Sequence, residues 1–259
     1  MGLFKWIKDR LKYRSLMKKK RAIRRYYRTV DTATLWLPPD PSHRQFRFGC
    51  ISTTDGSYFF KKIPDRVKDT KTLKKWLVRY APFHVYYTTS TWLDPQRLGA
   101  KNPSRSARRK KKGGYPVAHN VFLNQELYFD IDMPNMFKEC KKEVLDLEEY
   151  VRKEYGVKDT RIIFSGGKGF HLYAYDFNWK DHTEMRPEDP RLREALVTEI
   201  KAKVVNDIVK KDFVIDAEIT MDTRRIIRLP GTVHGKTLNL CTMLSRDEVD
   251  GFRPSRIPH

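Results

Sequence analysis

Apolar residues in the second half of the chain recur with two periods, which together predict an order of strands and helices. Apolar steps of three and four along 137–155 are typical of an amphipathic helix, which Gly156 ends. Asp189-Pro190 indicates the start of a second helix, because aspartate caps free amide groups and proline fits the first turn. Four short apolar segments are typical of strands: 126–132, 161–164, 170–175 and 213–217.

The predicted order is β-α-β-β-α-β, a split βαβ arrangement in which the first strand lies between the third and the fourth. Upstream, segments 47–51, 58–60 and 84–87 also have strand-like patterns. A short helix is predicted between them from Leu73, Leu77 and Tyr80, which follow helical spacing. We therefore predict an α/β (α+β) fold: an RRM-like core sheet joined to an N-terminal mixed α/β layer.

Residues 1–28 form a basic segment with a single acid, Asp9. Phe4, Ile7 and Leu11 recur at helical spacing, which predicts a basic amphipathic helix or arm preceding a domain at 29–259. Such a segment either packs as a solvated helix at the domain edge or contacts nucleic acid directly. A second basic run at 105–112 predicts a loop, which either holds a template strand or is a charged insertion.

Composition narrows the partners of this 259-residue chain. Its formal net charge is +21 and its pI about 9.9, and such an excess attracts polyanions, most commonly nucleic acid. No apolar run reaches membrane-spanning length, and the N-terminus lacks a secretory core, so we expect a cytoplasmic protein with no membrane partner. Cys50, Cys140 and Cys241 are scattered and odd in number, which argues against disulfides and against a cysteine-built zinc site.

Three carboxylates carry the main chemical prediction. Asp130 and Asp132 lie two positions apart on a predicted strand and so share one face, and the split βαβ order places Asp216 on the neighbouring strand. Carboxylates so placed repel one another unless a cation lies between them. Oxygen ligands on a rigid strand suit a Mg²⁺ or Mn²⁺ site for phosphoryl or nucleotidyl transfer. The same face is predicted to carry His171.

Two further segments could bind phosphate. In Ser165-Gly166-Gly167-Lys168-Gly169 the glycines free backbone N–H groups to face an anion, and Lys168 adds charge; the alternative is an ordinary glycine hairpin. Further along the chain, Arg228, His234 and Lys236 supply donors around the Pro230-Gly231 turn, as a triphosphate clamp would; the alternative is a basic surface loop.

Taken together, these segments resemble the small, catalytic subunit of the archaeo-eukaryotic primases. The likeness extends upstream to about residue 26, through Tyr26-Tyr27, Arg44-Gln45-Phe46-Arg47-Phe48 and Pro82-Phe83-His84-Val85-Tyr86-Tyr87-Thr88. Four segments follow one another in order, and the last is the most specific: Tyr128-Phe129-Asp130-Ile131-Asp132, Ser165-Gly166-Gly167-Lys168-Gly169-Phe170-His171, Ile215-Asp216, and Arg228-Leu229-Pro230-Gly231-Thr232-Val233-His234-Gly235-Lys236-Thr237.

The resemblance implies a role for each matching residue. Asp130, Asp132 and Asp216 would hold two divalent cations, Mg²⁺ or Mn²⁺, with one activating the 3′-hydroxyl and the other bridging the triphosphate. The family often carries a Cys/His zinc module, but only Cys140 lies between the first two motifs, so no zinc is expected. The residues expected to bind the incoming nucleotide are Ser165, Gly166, Lys168, His171, Arg228, His234 and Lys236.

The resulting hypothesis is a DNA primase that joins ribo- or deoxynucleoside triphosphates into short primers on single-stranded DNA by two-metal-ion catalysis. Whether a primase large subunit must dock stays open. One rival is a repair or gap-filling polymerase of the same superfamily, which extends chains but does not start them. Another is a non-catalytic RNA-binding module, although that would require aromatic residues and not Asp130 at the centre of the sheet. A metal-dependent nuclease is a third alternative, but the segment that resembles a triphosphate clamp argues against it, because a nuclease needs no such site.

Overall fold

Two four-stranded antiparallel sheets organise the chain, with strand orders β2-β1-β3-β9 and β10-β7-β8-β6, and a third sheet pairs β4 with β5. The computed structural model describes residues 2–98, 120–185 and 187–258, so the basic run at 105–112 lies outside them. The helices are α1 (Gly2–Thr29), α2 (Thr70–Tyr80), α3 (Phe137–Tyr155), α4 (Pro190–Lys210) and α5 (Ala217–Met221). The strands are β1 (Phe46–Ile51), β2 (Tyr58–Lys62), β3 (His84–Thr88), β4 (Ser90–Trp92), β5 (Phe122–Gln125), β6 (Leu127–Ile131), β7 (Thr160–Phe164), β8 (Phe170–Ala174), β9 (Ile226–Arg228) and β10 (Thr242–Leu244).

The second sheet, β10-β7-β8-β6, separates two hydrophobic cores. Strand alternation sends Tyr128 of β6 and Tyr173 of β8 into the core shared with the first sheet, and sends Phe129 and Leu172 into the core beneath α3 and α4. The register pairs Asp130 with His171, which confirms their predicted common face. That face is closed over most of its area, because Tyr173 is buried and its hydroxyl lies 2.7 Å from the Tyr87 hydroxyl of the first sheet.

The predicted fourth strand at 213–217 is wrong. The segment runs beside β6 but makes one backbone hydrogen bond to it, from the Asp216 N–H to the Asp130 carbonyl at 2.8 Å. Two side chains replace the ladder: Glu143 accepts from the Val214 N–H at 2.6 Å, and Asp216 caps α5 by accepting from Ile219. The fourth strand of this sheet is β10, which pairs with β7 at the opposite edge.

Helix α1 packs on the first core through its C-terminal part. Ala22, Ile23 and Tyr27 are buried there, whereas Leu11 is 59% exposed. The helix is confirmed, but the stripe that packs differs from the predicted one, since the side chains of Phe4 and Ile7 lie outside the described part. No described helix is both long and apolar enough to cross a membrane.

Candidate active site

A cleft of about 470 Å³ opens where β6 and the β7–β8 turn meet β3, β9 and the loop that follows β9. Every predicted site residue except Gly166 and Asp216 lines it, so segments about a hundred positions apart converge as expected. The cleft is lined by Tyr86, Asp130, Asp132, Ser165, Gly167, Lys168, Gly169, His171, Arg225, Ile226, Ile227, Arg228, His234, Lys236 and Thr237.

The acidic side of the cleft is formed by the C-terminal end of β6. Asp130 is 19% exposed and its Oδ1 lies 3.5 Å from Nε2 of His171, the residue opposite it on β8. Burial lowers the pKa of His171, an effect that the Asp130 charge opposes, so the ring is held neutral near pH 7. Asp132 is exposed one residue beyond the strand, and no hydrogen bond or ion pair to its carboxylate is found among the described residues.

The Gly-rich segment is a hairpin turn that also forms a wall of the cleft. It joins β7 to β8 and is closed by a 3.0 Å hydrogen bond from the Ser165 N–H to the Gly169 carbonyl. A Cβ on Gly169 would lie 2.1 Å from the Ile131 carbonyl oxygen, so only glycine lets the turn pass this close to the end of β6. The segment is therefore a hairpin, and the turn places Ser165 and Lys168 in the same cleft as Asp132.

The basic side of the cleft is held together by His234. The Thr237 hydroxyl lies 2.9 Å from Nδ1 of His234 and donates to the Gly166 carbonyl at 2.7 Å, which joins the loop after β9 to the β7–β8 turn. Burial, with the charges of Arg228 and Lys236, lowers the pKa of His234 to about 4. The ring is therefore neutral at pH 7, and a bound anion would favour its protonation.

Three residues of this region were missed by the sequence argument. Arg225 and Tyr86 line the cleft, and His84 lies behind it with Nδ1 2.5 Å from Nη1 of Arg228. Since guanidinium only donates, His84 accepts as a neutral ring, consistent with a pKa lowered to about 3 by burial and by Arg228. The sequence did not indicate that β3 pairs with β9, and this pairing places Tyr86 beside Arg228.

Asp216 is placed beside the cleft and not in it. Its carboxylate accepts from the Ile219 N–H at 2.9 Å and lines a neighbouring cavity with Glu218 and Asp222. Arg225 borders both cavities. Across residues 2–98, 120–185 and 187–258, no three histidine, cysteine, aspartate or glutamate side chains are arranged to hold one metal ion. The predicted grouping of three acids is therefore not formed with these side-chain conformations.

Comparisons with known proteins match the part of the chain that forms most of this cleft. The family model described as DNA primase small subunit matches residues 129–246, the part of the chain that contains both sides of the cleft. The DNA primase small subunit PriS of Archaeoglobus fulgidus is 22% identical to this chain, over 84% of this chain and 77% of that protein. The protein of the same name from Halorubrum lacusprofundi is also 22% identical, over 89% and 81% respectively.

Among solved structures, the polymerase domain of Mycobacterium tuberculosis Ligase D in complex with DNA superposes with a TM-score of 0.55 at 15% identity. The superposition covers 92% of this chain and 85% of that one, and it supports the predicted α+β catalytic fold. The range matched by the family model includes Asp130, the glycine turn and His234. Over most of its length the chain is therefore similar to the small subunits of the archaeo-eukaryotic DNA primases, as its sequence motifs predicted.

Proposed function

We propose that this chain is a template-dependent nucleotidyltransferase, a DNA primase that makes short primers on single-stranded DNA from nucleoside triphosphates. The observation that carries the proposal is the division of one cleft into two sides. Asp130 and Asp132 form the acidic side, and Lys168, Arg228 and Lys236 form the basic side. A reaction that joins a metal-bound triphosphate to a hydroxyl needs both sides together.

The basic side suits the triphosphate of an incoming nucleotide. Arg228 and Lys236 carry positive charge. The neutral ring of His234 would be protonated more readily beside a bound anion, and it could then donate a hydrogen bond to that anion. Ser165 adds a hydroxyl from the opposite wall, and Lys168 is exposed on the same turn. These residues would bind and orient the phosphates and leave the α-phosphorus facing the acids. Gly166 contributes indirectly, through the hydrogen bond that its carbonyl accepts from Thr237.

The acidic side suits divalent cations, whose preferred ligands are carboxylate oxygens. Asp132 has no protein partner in the described part of the chain, and Asp130 has only the long contact to His171, so both carboxylates could accept an ion. Bound Mg²⁺ or Mn²⁺ would lower the pKa of the attacking 3′-hydroxyl and neutralise the leaving pyrophosphate. Asp216 would join them by exchanging its cap bond to Ile219 for an ion, because its backbone already contacts Asp130.

His171 would position Asp130 for this role. It is buried, it faces Asp130 across the β6–β8 ladder, and its Nδ1 has no hydrogen-bond partner among the described residues. A neutral ring can donate from Nε2 toward the carboxylate and so hold it at the mouth of the cleft. The RNA-binding alternative requires exposed aromatic rings on this sheet, on which bases could stack. Tyr173 is instead buried under the first sheet, and Tyr175 packs against Trp36.

The test supplies the purified chain with an unprimed single-stranded DNA template, labelled ribo- or deoxynucleotides, and Mg²⁺ or Mn²⁺. New oligonucleotides from the unprimed template would support the primase proposal. Extension of an added primer without any new chain would instead support the gap-filling polymerase. Because no second subunit is added, primer synthesis would also show that a large subunit is not required for initiation. Binding of the template without incorporation under either metal would contradict both.

A further inference from the structure

The outward face of the first sheet carries a row of aromatic side chains that leads away from the cleft. Strand alternation sends Phe48 and Tyr87 into the core and leaves Tyr58, Phe60 and Tyr86 on the opposite side. Tyr58 is 47% exposed and Phe60 is 56% exposed, although both are large apolar rings on an edge strand. We call Tyr58, Phe60 and Tyr86 the aromatic face.

These three rings form a continuous surface. The centroid of Phe60 lies 5.3 Å from that of Tyr58 and 5.8 Å from that of Tyr86, within the range of direct aromatic contact. The guanidinium of Arg228 lies 5.2 Å from the Tyr86 ring centroid. Because Tyr86 and Arg228 also line the cleft, the aromatic face begins where the candidate nucleotide site ends.

Gly49 makes this arrangement possible. It lies on β1 between Phe60 of β2 and His84 of β3, and a Cβ there would be 2.0 Å from the Tyr58 hydroxyl oxygen. The Tyr58 ring therefore lies across the backbone of Gly49 and reaches to 6.2 Å from the His84 ring. A side chain at position 49 would displace that ring. Only a glycine at this position lets the aromatic surface cross β1.

We propose that the aromatic face binds single-stranded DNA by stacking two or three template bases, and so guides the template into the cleft; this rests on the proposed function. Every base has a flat face, so aromatic stacking binds single strands without regard to sequence. The sheet spans roughly 14 Å from β2 to β9 at about 4.8 Å per strand, which is room for that number of bases. The net charge of +21 supplies the attraction for the phosphates.

The chain contains a matched control for this proposal. Phe59 is next to Phe60 on β2, has the same side chain and is 44% exposed, but alternation directs it to the other side of the sheet, opposite Cys50. Both positions are on the surface, so Phe59→Ala and Phe60→Ala should leave the fold intact. Any difference between the two variants then reports the face on which the base lies.

The experiment measures the affinity of each variant for a labelled oligo(dT) strand and for a strand of the same length that is abasic at its centre. Phe60→Ala should weaken oligo(dT) binding about five- to 150-fold, the effect of one lost stack, whereas Phe59→Ala should change it less than twofold. On the abasic strand the two variants should bind alike. Phe60→Trp should restore binding and Phe60→Leu should not, because stacking requires a flat ring.

The outcomes separate this proposal from the one on which it rests. Equal affinities of the Phe59 and Phe60 variants for oligo(dT), with the unaltered chain still binding and incorporating nucleotides, would overturn the aromatic face alone. So would an equal loss by Phe60→Ala on the abasic strand, since that loss could not come from bases. An unaltered chain that neither binds single-stranded DNA nor incorporates nucleotides would overturn the proposed function and this surface with it.

Discussion

Asp216 and Asp130 are joined through their backbones and separated at their side chains. The Asp216 N–H donates to the Asp130 carbonyl at 2.8 Å, yet the Asp216 carboxylate caps α5 and borders a cavity next to the cleft. Under the proposed function, two roles would compete for one carboxylate: capping a short helix, and binding an ion with Asp130. The competition can be tested because asparagine caps helices about as well as aspartate but carries no charge.

We expect Asp216→Asn to fold normally and to lose nucleotide incorporation by at least about 100-fold, the cost of removing one ion-binding charge at a reaction centre. Asp216→Ala should lose the same activity and also about 1 kcal/mol of unfolding free energy, because the cap bond to Ile219 is gone. Denaturant unfolding and incorporation assays on both variants separate the two effects. Full activity in Asp216→Asn would mean that the carboxylate acts only as a cap.

Features that depend on residues close together in the sequence could be predicted, whereas features that depend on distant strand pairing could not. Asp130 and His171 were placed together correctly because β6, β7 and β8 are recognisable apolar segments and the split βαβ order pairs the first of them with the third. Asp216 was misplaced because a helix cap that follows two apolar residues has the same local pattern as the end of a strand. Sequence periodicity does not report whether a partner strand is present.

The residues that were missed depend on long-range pairing. Tyr86 reaches the cleft only because β3 pairs with β9, more than 130 positions later, and nothing in either segment indicates that partner. The aromatic face has the same origin, since Gly49 is meaningful only once Tyr58 lies across it. In α1, basic residues occur on every side, so the sequence did not indicate which face packs against the core. The structure shows that Ala22 and Ile23 make this contact.

The two buried histidines of the basic side predict a pH dependence of stability. Burial, Arg228 and Lys236 lower the pKa of His234 from 6.5 to about 4, so the unfolded chain binds this proton more readily than the folded one. Above about pH 6.5 the ring is neutral in both states, and the free energy of unfolding is at its full value. As the pH falls toward 4 the unfolded chain takes up the proton first, so the free energy of unfolding decreases. His84, whose pKa is lowered to about 3, acts in the same direction.

We therefore expect His234→Gln to be less sensitive to acid than the unaltered chain. Glutamine keeps a polar side chain near Thr237 but has no proton to gain, so the fall in unfolding free energy between pH 6.5 and pH 4 should become smaller. Guanidinium unfolding at several pH values in this range measures the slope. An unchanged slope would show that His234 does not titrate in the fold.

The basic helix α1 predicts a salt dependence of DNA binding. Lys18 and Arg21 are exposed and lie three positions apart on one side of the helix, where they could contact two phosphates. If they do, Lys18→Glu with Arg21→Glu should weaken single-strand binding and flatten its logarithmic salt slope by about 1.4, at roughly 0.7 per phosphate. Fluorescence anisotropy with oligo(dT) from low to moderate salt provides the slope.

The matched control is the double variant Lys153→Glu with Lys158→Glu, since both of these lysines are also exposed. They precede β7, at the end opposite the turn that forms the cleft wall, so they lie away from the proposed template path. The net charge changes equally in both double variants. A similar loss of affinity from both pairs would mean that the helix contributes only to overall attraction and makes no local contact.

The central claim is that the acids of β6 carry out nucleotidyl transfer in a cleft that binds the triphosphate on its other side. The most direct measurement compares Asp130→Ala/Asp132→Ala with the unaltered chain for nucleotide incorporation and for single-strand binding, on the same template. We predict that incorporation is abolished under both Mg²⁺ and Mn²⁺ while template binding changes less than about threefold, because neither acid belongs to the aromatic face or to α1. Incorporation by the double variant at a rate close to that of the unaltered chain would contradict the claim.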